Sequence, residues 1–205
     1  MKNILILILY ISILAACAPA ETEIVTATPV PIPPRPTEIN TPMPAALWVS
    51  PAVPDDLRLI AQGWDIPRVD DPGLATQKLD LSESGALWIY ALVAPFPTIT
   101  DDAAYEDLIS TWNGAPAGQL AGRGLLMAES TREAFTARWG EPARGVVRSV
   151  SSDELLDVAW SDMSNWAIIP FEEINPKWKV ISVDGQSPIH KDFDAELYPL
   201  KINFG

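Results

Sequence analysis

The stretch 86-ALWIYALVA-94 is apolar at every position. A strand with one solvated face alternates apolar and polar residues. A short unbroken apolar run predicts a strand covered on both faces, as in the parallel or mixed sheets of α/β proteins. The flanking sequence fits that class. Downstream, 101-DDAAYEDLISTW-112 places Tyr105, Leu108, Ile109 and Trp112 at helical spacing, and Gly114 follows as a stop. The strand-like 124-GLLMA-128 leads into 130-STREAFTARWG-140, where Ser130 and Glu133 form a capping-box pattern. The strand-like 145-GVVRSV-150 leads into 151-SSDELLDVAW-160, with Ser151 and Glu154 in the same spacing. Three more strand-like runs, 166-WAIIPF-171, 179-KVISVDG-185 and 198-YPLKINF-204, complete the chain, with Asp184-Gly185 as a turn signal. Upstream lie a short strand candidate, 46-ALWVS-50, and a helix opened by Pro54, Asp55 and Asp56 with Leu57, Ile60, Ala61 and Trp64 on one face. Strands alternating with helices predict an α/β fold over residues 46–205.

The beginning of the chain has a different character. Met1-Lys2-Asn3 precedes an apolar run, Ile4 to Leu14, that is too short to span a bilayer and ends in Leu14-Ala15-Ala16-Cys17. This resembles the lipobox of bacterial lipoproteins. Residues 1–16 are expected to be a cleaved signal, and Cys17 the lipid attachment point. Cys17 is the only cysteine, so the rest of the chain has no thiol or disulfide chemistry. Residues 17–45 are rich in Pro, Thr and Glu; such sequence buries too little apolar surface to offset ordering entropy, and a disordered tether is expected.

Composition excludes several functions. A formal net charge of −13 argues against nucleic acid as a partner. His190 is the only histidine and sits in the polar loop SPIHKDFD. No HExxH, CxxC, GxSxG or Walker pattern occurs, so neither a metal nor another cofactor is expected, and no catalytic residue is assigned. The acid pairs 55–56 and 101–102 suit helix starts, where carboxylates meet the positive end of the dipole. Most of the eight tryptophans are expected in the core. Binding remains. A helix beginning at a strand's carboxyl end presents unpaired N–H groups to a ligand. Ser130, Thr131 and Arg132 are therefore the expected ligand-binding residues, with Phe96 and Thr98 forming the opposite wall.

The segments 88-WIYALVAPFPTITDD-102, 108-LISTWNG-114 and 166-WAIIPFEEINPKWKVISVDGQSP-188 carry a resemblance. They are similar to the N-terminal region of bacterial lipoproteins of the poly-γ-glutamate capsule biosynthesis (CapA) family, a region that itself resembles type 2 periplasmic solute-binding proteins of the phosphate type. The resemblance implies two small lobes with mixed sheets: lobe one at about 46–93 and 171–205, lobe two at about 94–170. It also implies a C-terminus truncated before a metallophosphatase-like domain, and a role in envelope polymer metabolism without catalysis. The implied partners are the membrane through the lipid anchor, a small anionic or polymeric solute, and an envelope protein. In the receptors a Ser-Gly-Thr turn contacts the anion; here Ser130-Thr131 has no glycine between. The alternatives are an interaction module docking a partner in envelope assembly, or a fragment of a capsule-biosynthesis enzyme.

Overall fold

The computed structural model describes residues 44–205. Cys17, the expected leader 1–16 and all but the last two residues of the expected tether lie outside them. Among the described residues no helix is long and apolar enough to cross a membrane.

The run quoted above is the second half of β3, Leu81–Pro95, the longest strand of the structure. It pairs antiparallel with β7, Asn165–Pro170, with β8, Trp178–Val183, and, through its first half, with β9, Lys201–Phe204. Further strands continue outward: β5, Gly124–Met127, lies parallel to β7, and β6, Val147–Ser149, parallel to β5. On the other edge β4, Asp102–Ala103, lies parallel to β8. The order is β4-β8-β3-β7-β5-β6, and β3 alone runs against the rest. The expected lobe boundary at 93/94 falls inside this strand.

The double-sided apolar pattern has a direct cause. Tyr90, Leu92 and Ala94 of β3 join Leu125, Met127, Trp166 and Ile168 in one core, with α3 (Glu129–Trp139) and α2 (Tyr105–Trp112). Ala91 and Val93 join Leu126, Ala167 and Ile169 in a second core under α4, Leu155–Ser161. Neighbours in sequence alternate between the two, as the strand period of two requires. Each fully buried Leu, Ile or Val adds roughly 1.5–3 kcal/mol, so the sheet is held from both faces.

Trp112 and Trp139 of the helical tryptophans belong to the first core, whereas Trp64 and Trp160 are about two-fifths exposed (43% and 39%). Asp184 and Gly185 both have positive φ, 51° and 74°, and close a tight turn at the end of β8 with paired bonds between Val183 and Gln186.

Before β3 stands a smaller unit. β1, Leu47–Val49, lies parallel to β2, Gln77–Leu79, with α1, Asp55–Gln62, between them in sequence. Leu57 and Ala61 of α1 are buried, but Ile60 and Trp64 are not. A sheet of two strands is too narrow to cover the whole apolar stripe read from the sequence.

Candidate functional site

Three strand-to-helix junctions meet at one place. β1 ends beside the start of α1, β5 runs into α3, and β6 runs towards α4. Between them lies an open cavity of ≈ 730 Å³, its wall formed by Val49, Pro51, Asp55 and Arg58 from the first junction. Ala128, Glu129 and Ser130 come from the second junction, and Ser151, Ser152 and Asp153 from the third. The carboxyl ends of parallel strands are where open α/β sheets bind ligands, because helix starts leave N–H groups free there.

The structure brings Ser130 to this cavity, although not as a helix cap. α3 begins at Glu129 with Ala128 as the preceding residue, and no side chain caps it. The expected Ser130–Glu133 capping box is therefore absent. Ser130 lies in the first turn with its neighbours Ala128 and Glu129 on the cavity wall. Thr131 points into the protein: it is 1% exposed, and its hydroxyl has no hydrogen-bond partner among the described residues. Arg132 is held by carboxylates. It donates to Glu129 at 2.6 Å and to Glu133, and Glu141 is 3.9 Å away.

Phe96 and Thr98 are not on the opposite wall. β3 runs antiparallel to β7, and β7 parallel to β5, so the end of β3 lies at the other end of the sheet from Ser130. There Phe96 is two-thirds exposed, and Thr98 lines a separate cavity of ≈ 250 Å³ with Ile99, Arg123 and Met163. Its carbonyl accepts from Lys179 Nζ at 2.8 Å. The wall facing Ser130 comes instead from β1, α1 and the turn before α4. Sequence reading passed over Arg58, Ser152 and Asp153; the Asp55-Asp56 pair was the signal that a helix start faced this side.

The capping pattern at Ser151 does form a contact. Ser151 Oγ bonds Glu154 Oε2 at 2.8 Å, fixing the turn that carries Ser152 and Asp153. Ser152 Oγ reaches Asp55 Oδ2 at 3.4 Å, linking this turn to α1. Arg58 is the one Lys or Arg among the described residues lining the cavity. Its Nη2 donates to the Ser50 and Val53 carbonyls at 3.1 and 3.2 Å, and so clamps the loop between β1 and α1.

Electrostatically the cavity joins helix-start N–H groups and serine hydroxyls with three carboxylates, Asp55, Glu129 and Asp153. Hydrogen bonds from Arg132, then from Ser149, hold the Glu129 carboxyl down at about 2. A carboxyl lowered in the folded state adds stability above its unfolded value, near 4.5, and loses it as pH falls towards 2. Glu129 is mostly exposed, so solvent screening limits the contribution to about 0.5–1 kcal/mol. Glu129→Gln is expected to lower stability by that amount near pH 7. The difference should shrink as pH falls below about 4.5, read by urea denaturation at each pH.

His190 is exposed in its loop, and no group of three or more His, Cys, Asp or Glu among the described residues is placed to hold a metal ion.

No protein-family model and no curated protein sequence matches the chain. Solved structures do. An ABC-type phosphate transport receptor from Vibrio cholerae superposes with a TM-score of 0.62 at 12% identity, covering 78% of this chain and 84% of that one. A phosphate ABC transporter substrate-binding protein from Clostridium perfringens, solved with bound phosphate, gives 0.50 at 12% identity over the same shares. The mixed α/β architecture of this chain is the fold of the periplasmic phosphate-binding proteins.

Proposed function

We propose that the protein is a non-catalytic solute-binding module that holds a small anionic solute, or the end of an anionic polymer, in the cavity at the ends of β1, β5 and β6. The observation that carries this reading is the convergence of three strand-to-helix junctions on one open cavity. Helix-start N–H groups and the hydroxyls of Ser130, Ser151 and Ser152 are donors for such a solute. The nearby carboxylates accept from hydroxyl or protonated oxygens of the same solute. The likeness to phosphate receptors supports the class of solute.

The lipobox-like tail at Cys17 supports an extracytoplasmic protein anchored by lipid, with residues 17–45 as its tether. The resemblance to the capsule-biosynthesis lipoproteins supports a role in envelope polymer metabolism. Lobe assignments follow the same resemblance, with lobe one at about 46–93 and 171–205 and lobe two at about 94–170.

The test is a thermal-shift screen of the full chain with phosphate, sulfate, sugar phosphates and glutamate oligomers, because a solute that binds only the folded state raises the midpoint. Ser130→Ala with Ser152→Ala is expected to weaken the best of these by about 1–3 kcal/mol, the loss of one or two hydrogen bonds. The midpoint without solute should stay nearly unchanged, since neither serine caps its helix. Undiminished affinity in the double variant contradicts the assignment.

A further inference from the structure

A second groove, of ≈ 400 Å³, adjoins the strand-end cavity and shares Asp55, Ser152 and Asp153 with it. Its charged lining is entirely acidic: Asp55 and Asp56 from α1, Asp153 from the turn before α4, and Glu173 from the 3-10 turn Phe171–Glu173 that follows β7. The floor is apolar, with Leu155, Ile169 and Trp178. Glu172 lies on the same turn as Glu173; the Tyr90 hydroxyl of β3, buried in the first core outside the groove, is raised by burial and then by these two carboxylates. Arg58, the nearest cation on α1, is turned to the Ser50 and Val53 carbonyls, with Asp55 4.0 Å from its guanidinium. Like charges facing one another over an apolar floor repel more strongly than in water.

We propose that Glu173 is a proton-operated latch on the cleft: protonated, it lets α1 and the 171–173 turn stay close across the groove that both line, and ionised, it is repelled by Asp55, Asp56 and Asp153 and releases α1. Burial, and then the charges of Asp55, Asp56 and Glu172, push Glu173 up to about 7. Its folded value lies above the unfolded one, so the proton stabilises the docked state. Docking therefore weakens as pH rises from about 4.5 through about 7. Because Asp55 and Asp153 also line the solute cavity, undocking α1 opens that cavity. In this respect the latch rests on the solute-binding reading; as a pH-sensitive contact it does not.

Hydrogen exchange of the α1 amides in the full chain, without solute and corrected for intrinsic rates, tests the latch. Protection is expected to fall about tenfold between pH 6 and pH 8. It should stay flat in Glu173→Gln, and the fall should move to lower pH in Asp55→Asn with Asp56→Asn. The same fall in Glu173→Gln, or an unmoved one in the asparagine variant, overturns the proposal. No solute is present, so a chain that binds none of those screened leaves this result standing, and an unlatched α1 leaves the solute reading standing.

Discussion

Trp112→Ala is expected to lower the stability of the domain by about 3–5 kcal/mol. The indole is fully buried, and its edge meets Trp139 at a centroid distance of 5.1 Å. Around it are gathered the elements that shape the cleft from behind: Trp139 ends α3, and Phe135 of α3 packs tilted against Trp139 and edge-on against Tyr90 of β3. Truncation opens a large hole in this aromatic cluster, and surrounding side chains refill such holes only in part. A polar term adds to the loss. Trp112 Nε1 donates to the Gly140 carbonyl at 2.9 Å, at a residue whose φ of 84° turns the chain out of α3. Without the indole that carbonyl loses its partner. Domains of this size hold about 5–15 kcal/mol in all, so a measurable fraction should be unfolded at 37 °C. Urea denaturation gives the answer: a lower midpoint at unchanged slope is expected. Trp112→Phe keeps most of the ring volume and should recover more than half of the loss.

Cys17→Ala is expected to abolish membrane attachment altogether. The reason is chemical, since the chain holds no second thiol to accept a lipid. It is also quantitative. One acyl chain binds a bilayer only marginally, whereas a lipoprotein anchor supplies two or more, and each buried methylene adds about 0.8 kcal/mol. Partition should therefore switch from fully bound to free rather than weaken by degrees. Labelling with a radioactive or clickable fatty acid, followed by fractionation, checks this. Equal labelling of the variant would remove Cys17 from the proposed role.

The sheet was legible wherever side-chain pattern alone decides the structure. Nine apolar residues in succession required cover on both faces; the two cores that share β3 supply it for Tyr90–Ala94, whereas Ala86 and Leu87, which pair with β9, stay exposed. The direction of that strand was not legible, because an unbroken apolar run reads the same either way. Once β3 runs against β5, Phe96 and Thr98 move to the far end of the sheet from Ser130. The polar start of β3, Ser82-Glu83-Ser84, was also hidden; it bulges out between Leu81 and Ala86, which both face Phe204 of β9, and is held by Ser84 N donating to Ser82 Oγ and by Asn203 Nδ2 donating to the Glu83 carbonyl. Ser130 lines the cavity but does not cap the helix, because the cap falls two residues earlier, at Ala128, and makes Glu129 the first residue of α3. The same shift turns Thr131 inward. The rest of the site, Arg58, Ser152 and Asp153, comes from two other junctions distant in the chain. Nothing local announces that they share one wall.

The central claim is that solute is held where β1, β5 and β6 end. Backbone amide resonances of the full chain, followed while the strongest solute of the screen is titrated in, test it most directly. The account predicts that the shifts concentrate at Pro51–Arg58, Ala128–Ser130 and Ser151–Asp153, with saturation matching the thermal-shift affinity. Shifts concentrated instead around Thr98, Ile99, Arg123 and Met163, or around Leu81–Glu83 with Arg138 and Lys201, would contradict it.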